Sequence, residues 1–468
     1  MAQSGTGNSV PGRDRLADRL AREVTERGGF RHLRALQNAA DENGGNRGAG
    51  TPGYAASAAY VTSRLTAAGY RVRYQRFAFP DFLPVRETAA ETAPVRRRLH
   101  PLMARFSPPT PPGGLRAPLA VLPGQGCTAE EYERAGARSR IALVRGEECE
   151  LTVKQRAAAR AGVRAVLMNV GAPGPTMNLR YRMKPPTAGL IPSAALSRGE
   201  SELLAADAAR GPGPVSLHLT LRGRHVRTST FNVLADTPTG RPDRTVVLGA
   251  HLDSVPEGPG ADDNASSAAM VLETALRLAH HWPEVRHRVR FAFWGAEERG
   301  LVGSQHYVDR LDAAGRRDQA LDLNFETIGA PNYARLVYDG DDSEGTGAGQ
   351  GPPGSAAIER EFTGYFAARG LPTAALDFDG RSDFGPFIAA GIPAGGGSGG
   401  YNHLKTPAWQ RLFGGTAGQY LDPCYHQTCD TADGISRTLF GQFGAAMAHA
   451  TGRFAQDLGG VPDVRRRR

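Results

Sequence analysis

The sequence predicts an α/β protein: a doubly wound, mostly parallel sheet with a smaller β/α unit inserted into it. Three observations carry this. From Phe231 to about Ala455, apolar runs of strand length alternate with helical patterns: "TVVLGA", Asn264 to His281, "VRFAFWG", Leu301 to Leu311, then "ALDLNFE". Such alternation builds parallel strands covered by helices on both faces. Upstream, "SRIALVRGEECELTVKQRAAARAGVRAVLMNV" repeats strand, helix and strand independently. And 468 residues exceed one typical domain.

The elements follow in order. Residues 1–12 are polar and glycine-rich and read as a disordered tail. Residues 13–105 hold the first part of the larger domain and a linker. Within them Tyr54, Ala58, Val61 and Leu65 recur at helical spacing, Gly69 stops that helix, and Tyr70 to Phe77 alternates like a strand. The stretch 80–115 is rich in Pro and Arg and reads as linker. Residues 106–225 form the inserted unit, with strand Ile141 to Val144, helix Thr152 to Ala161 and strand Ala165 to Asn169. Residues 226–458 complete the large domain, and 459–468 form a basic tail.

Composition narrows the function classes. Apolar content of 40% and charged content of 22% are ordinary for a globular chain. The net charge is +9, but only three of the 56 basic residues are lysine and the arginines are scattered, so nucleic-acid binding is not expected. No run is long and apolar enough to span a membrane, and Met1 to Pro11 lacks the apolar core of a signal peptide. The four cysteines fall as two local pairs, Cys127 with Cys149 and Cys424 with Cys429. Two disulfides in an oxidising compartment is the preferred reading, and four buried thiols the alternative.

Candidate ligands then gather at the carboxyl ends of strands, where open α/β sheets bind. His251 and Asp253 follow the first strand, Asp262 and Asp263 open the next helix, Glu297 and Glu298 follow the second strand, Glu326 ends the third, and His426 lies in "DPCYHQTCD". Each alone has a bland explanation: a hydrogen-bonded His–Asp pair, a solvated Glu pair, a helix cap. Together they do not, because charged groups rarely follow buried strands unless paired or bound to metal. Imidazole with carboxylate is a zinc set, and two zincs need a shared carboxylate with terminal ligands on either side.

The motifs "HLDSVPEGPGADDNAS", "WGAEERGLVGSQHYV", "LNFETIGAPNY", "FDGRSDFGPFIAAGIPAGG" and "DPCYHQTCD" resemble those of the dizinc aminopeptidases, the secreted bacterial group that includes the Streptomyces and Vibrio leucyl aminopeptidases. The match runs over most of 13–455, and "SRIALVRGEEC" around Cys149 resembles the hallmark of a protease-associated domain. The resemblance implies a zinc exopeptidase fold and two zinc ions per chain. It assigns His251, Asp263 as the bridge, Glu298, Glu326 and His426 as ligands, with Asp262 a neighbour only. Asp253 would hydrogen-bond the His251 imidazole from behind, Glu297 would be the general base, and Tyr425 would stabilise the oxyanion. Arg381 would hold the substrate terminus. A Cys424–Cys429 disulfide would rigidify the loop carrying Tyr425 and His426, and the Asp263–Asn264 peptide would be cis. Adjacent Glu297 and Glu298 would serve different tasks because an extended backbone turns successive side chains apart.

Two departures stand out. The family has aspartate, usually in "NFDMIG", where this chain has Glu326 in "NFETIG", which places the first zinc's affinity in question. And "GGGSGGYNHLKT" is glycine-rich where a bulkier loop near the substrate pocket is usual, which leaves specificity open. The expected activity is removal of an N-terminal residue, large and apolar such as leucine, from peptides by a metal-activated water. The alternatives are a single-zinc glutaminyl cyclase-like transferase and a non-catalytic binding protein on a peptidase scaffold. Peptides with a free N-terminus are the expected partners, with no nucleic acid and no membrane. A monomer and an extracellular location are expected.

Overall fold

The computed structural model describes residues 15–145, 149, 151–170, 190–210, 213–345 and 347–462. The expected disordered tail over 1–12 and the closing Arg465–Arg468 lie outside these residues. The chain divides into two compact units, one of Met1–Arg76, Phe231–Tyr425 and Cys429–Arg468, the other of Phe77–Thr230 with His426–Thr428.

The first unit is built on a mixed sheet. In chain order its strands are β1, the end of Ser216–Asp236, then β2 (Arg241–His251), β3 (His287–Trp294), β4 (Gln319–Glu326), β5 (Leu336–Tyr338), β6 (Ala374–Leu376) and β7 (Ala394–Ser398). They lie in the order β6-β5-β7-β4-β2-β3-β1. The central four, β7, β4, β2 and β3, are mutually parallel. β1 on β3 and β5 on β7 run antiparallel. Successive side chains of a strand face opposite ways, and both faces are covered here. Val246, Leu248 and Ala250 of β2, with Phe291 and Phe293 of β3, enter the core built with helices Ser267–Leu278 and Arg437–Gln456. Val247, Ala292 and Trp294 pack instead with Tyr307 and Phe387. That two-sided burial is why these strands read as continuous apolar runs. Helix Pro52–Ala67 buries Tyr54, Ala58, Val61 and Leu65 and ends before Gly69, which takes φ +90°.

Register brings the carboxyl ends level. His251 pairs with Trp294, and Glu326 with Ser398. Gly249 pairs with Asn324, so Glu326 ends beside His251. The expected helix from Asn264 to His281 is shorter, Ser267–Leu278, preceded by a wide turn at Ala261–Ser266. Asp263 (φ −103°, ψ 91°) leaves helical geometry inside that turn, which delays the helix.

The second unit has its own core around Leu119, Leu143, Val166 and Leu167. Parallel strands Leu115–Val121, Ile141–Arg145, Ala165–Val170 and Ser193–Ser197 lie side by side in chain order. Helices Leu151–Arg160 and Arg198–Arg210 follow the second and fourth. Cys127 and Cys149 are disulfide-bonded.

The stretch 80–115 is not a linker. Strand Arg71–Ala93 runs through it and pairs antiparallel with Arg97–Leu99. Proline and arginine hid the pattern, yet Phe79, Phe82, Ala89 and Leu99 are buried, as are the carboxylates of Asp81 and Glu91, while Arg86, Arg96 and Arg98 face outward. Among the described residues, no helix is long and apolar enough to cross a membrane.

Candidate metal centre

β2 ends on His251, whose Nδ1 lies 2.9 Å from the Asp253 carbonyl oxygen. A carbonyl only accepts, so Nδ1 carries a proton, and Nε2 is the nitrogen turned toward the carboxylates. Nε2 faces Glu326 Oε1 at 3.0 Å, Asp263 Oδ1 at 3.2 Å and Glu297 Oε2 at 3.9 Å. The expected support from the Asp253 side chain is therefore corrected. Its Oδ1 is 3.8 Å from Nδ1, and the carboxylate instead accepts the backbone N–H groups of Glu297 (3.0 Å) and Glu298 (3.3 Å). Burial pushes this carboxyl up to about 6 against the pull of His251.

The backbone around each acid is fixed by side chains. Asp430 accepts from the N–H groups of Asp262 and Asp263, and Asp262 accepts from Gly329. The Asp263–Asn264 peptide is cis. The Asn264 amide brackets Glu326, donating to the Phe325 carbonyl at 2.8 Å and accepting from Thr327 N–H at 3.1 Å. Glu297 and Glu298 sit in a tight helical turn, Glu297–Arg299, entered through a left-handed Ala296 (φ 62°). The expectation of an extended backbone there fails, because the left-handed residue reverses the chain directly after β3. Glu326 accepts a 2.5 Å hydrogen bond from Ser382 Oγ on Oε2, and Asn324 donates to that same Ser382 oxygen at 2.8 Å.

Two triads of ligand atoms result, His251–Asp263–Glu326 and Asp263–Glu298–His426, each within 4.8 Å, and Asp263 belongs to both. His251 also groups with Glu297 and Glu298. Burial alone would lower the His251 imidazole, but Glu326, Asp263 and Glu297 hold it well above its ordinary range. Converging buried carboxylates repel one another and call for cations. Two imidazoles among oxygen donors suit zinc.

Tyr425 and His426 lie in the loop closed by the Cys424–Cys429 disulfide. Burial, then the charges of Asp263, Glu298 and Glu297, push the Tyr425 phenol well above its usual range, against Arg381. Arg381 joins neither triad. Its guanidinium lies over the Tyr401 ring, 4.7 Å from the centroid, and donates to Asn402 at 3.3 Å; Tyr401 in turn packs on Tyr425 at 5.5 Å.

The model for peptidase family M28 matches residues 232–451. A probable lipoprotein aminopeptidase of Mycobacterium tuberculosis is 39% identical over 447 residues, 92% of this chain and 85% of that protein. The chain belongs to peptidase family M28. The model for the PA domain matches residues 115–204, inside the second unit. A leucine aminopeptidase 2 of Trichophyton equinum is 39% identical over 272 residues, 58% of this chain and 54% of that protein. The fold matches a solved aminopeptidase from Aneurinibacillus sp. strain AM-1 with a TM-score of 0.71 at 20% identity, covering 93% of this chain and 95% of that one.

Against this M28 frame the glycine-rich departure resolves differently from expectation. Gly395, Gly396 and Gly397 belong to strand β7, and only the part from Gly399 onward is loop, carrying Tyr401 against Tyr425. A Cβ on Gly396 would lie 2.0 Å from the Asn324 carbonyl oxygen of β4, so the sheet itself excludes a side chain there. Sequence reasoning missed Asn264, Ser382 and Asp430 as supports of the centre. Asp430 lay within a quoted motif, and its place after Cys429 was the available signal. Ser382 also lay within a quoted motif, beside Arg381, but nothing local showed that it reaches Glu326 from 56 residues away.

Proposed function

We propose that this M28 peptidase is an aminopeptidase that binds two zinc ions per chain and removes N-terminal residues from peptides, with large apolar residues such as leucine preferred. The observation that carries the reading is Asp263, shared between two triads that each add their own imidazole and glutamate. His251, Asp263 and Glu326 hold one ion and Asp263, Glu298 and His426 the other. The relative named leucine aminopeptidase supports the apolar preference. Zinc supplies Lewis-acid chemistry, acidifying water and polarising a carbonyl. Glu297 is the general base: its carboxylate takes a proton from the attacking water and returns it to the leaving amine. Tyr425, kept as a neutral phenol by its surroundings, donates its O–H to the developing oxyanion. Arg381 orients the substrate at the mouth, where its guanidinium rests on Tyr401. Asp253 fixes the turn carrying both glutamates and, through its carbonyl, the His251 tautomer. The peptidase domain comprises residues 13–76 and 231–458, and the PA domain lies within 77–230. The two disulfides support an extracellular location.

The test is zinc content per chain, measured beside hydrolysis of leucine p-nitroanilide and cyclisation of N-terminal glutamine peptides. Two zincs with leucine release is the expected result. One zinc with cyclisation would return the single-metal transferase reading, and two zincs without hydrolysis the binding-protein reading.

A further inference from the structure

The loop 42–51 between helices Glu26–Asp41 and Pro52–Ala67 carries Arg47, a fully buried arginine with 0% of its surface exposed. Among the described residues, its guanidinium meets no carboxylate in a direct hydrogen bond. All three nitrogens donate instead to backbone carbonyls: Nη1 to Leu252, Nε to Pro259 at 3.0 Å and Nη2 to Gly260 at 2.6 Å. The Arg47 N–H donates to Ser254 Oγ at 2.9 Å, and the Ser254 N–H returns to the Arg47 carbonyl at 3.3 Å. Ser254 Oγ also bonds the Gly258 carbonyl at 3.0 Å.

These acceptors have a pattern. Leu252 directly follows His251, and Gly260 opens the turn that presents Asp263. One planar fork therefore ties together both ends of the 252–260 loop. The fit is close: Gly260 is left-handed (φ 64°), and a Cβ on it would lie 2.3 Å from the Asp263 carbonyl oxygen. Arg47 also places a positive charge toward Asp253, Asp430, Asp263 and Glu298, the acids that act on it. Burial pulls its pKa down to about 10 against those acids, so it stays charged at neutral pH. Only arginine has donors enough in one plane to hold three carbonyls; a lysine head reaches fewer and leaves buried acceptors unmet.

We propose that Arg47 is a positioning residue of the metal centre, a buried clamp that fixes the separation of His251 and Asp263 before metal arrives. It acts through the loop backbone and touches neither metal nor substrate. The inference rests on the dizinc reading for its consequence in zinc affinity, while the clamp itself is testable without metal.

The experiment compares wild-type, Arg47→Lys and Arg47→Ala full-length chains. In metal-free protein, hydrogen exchange of backbone amides within 252–263 is followed by mass spectrometry. Zinc affinity is then measured by competition with a chromophoric chelator. The clamp predicts at least tenfold faster exchange confined to 252–263 in both variants. It also predicts zinc binding weakened by roughly 10–100-fold, the range for lost supporting contacts. Added guanidinium ion should partly restore zinc affinity to Arg47→Ala and leave Arg47→Lys unchanged, a rescue that general destabilisation would not give. Should Arg47→Ala fail to fold, Ser254→Ala with Arg47→Lys carries the exchange test. Wild-type exchange in folded variants overturns the clamp. Faster exchange in variants of a wild type that binds no zinc keeps the clamp and overturns the dizinc reading.

Discussion

Glu326 stands where the sequence resemblance leads one to expect aspartate, and the structure turns that difference into a measurable expectation. The carboxylate is held at two points, Oε1 at 3.0 Å from His251 Nε2 and Oε2 at 2.5 Å from Ser382 Oγ. Glu326→Asp withdraws the carboxylate by one methylene, about 1.5 Å. The Ser382 contact then stretches to roughly 4 Å if the approach to His251 is kept, beyond hydrogen-bond range. Losing such an orienting contact typically weakens a metal site by about 10–100-fold, or roughly 1.4–2.8 kcal/mol at about 1.4 kcal/mol per decade. Ser382→Ala removes the same contact from the other side, so it should weaken the first zinc by a similar factor. The double variant should add little, because both changes delete one interaction. Glu326→Ala removes the ligand itself and should lose that zinc and most turnover. The assay is zinc titration of metal-free protein with leucine p-nitroanilide hydrolysis in parallel. Wild-type zinc affinity in folded Ser382→Ala, or fully additive losses in the double variant, would refute the two-point grip.

Three further outcomes are expected. Glu297→Gln should keep both zincs and lose about 10²–10⁴-fold in kcat, the range for a general base; metal content and kcat are measured on one preparation. Tyr425→Phe should lose on the order of 10²–10³ in kcat, about 2.7–4 kcal/mol, with little change in zinc content, as removal of an oxyanion donor does; an unchanged kcat would remove Tyr425 from that role. His403, packed on Tyr401 at 4.5 Å, has its pKa lowered from 6.5 to about 4 by burial and then by Arg381. Between those values the unfolded chain binds more protons, so stability falls as the pH drops from about 6.5 toward about 4. Denaturant unfolding of His403→Phe across that window should show a flatter decline than wild type.

Much of the fold and centre was legible in the sequence because the signals are local. Parallel strands buried on both faces read as apolar runs, and their carboxyl ends showed where the ligands gather. His251, Glu297, Glu298 and Glu326 stood out because polar groups directly after such runs have few other reasons to be there, while Asp263 and His426 stood out through the motifs that carry them. Misreadings arose where local composition misled. Proline and arginine disguised the 80–93 part of strand Arg71–Ala93 as linker, and the three glycines of β7 read as one with the loop that follows them, because neither stretch offers the usual apolar alternation. The tertiary structure alone decided which groups support the ligands. Asp253 turned its carboxylate to the Glu297–Glu298 turn, Asn264 bracketed Glu326, Ser382 gripped its outer oxygen, and Arg47 clamped a loop more than 200 residues downstream. Residue types at strand ends follow from the burial each strand demands, so one stretch of sequence reveals them. Hydrogen bonds between distant segments depend on how those segments are brought together, and no stretch read alone contains that.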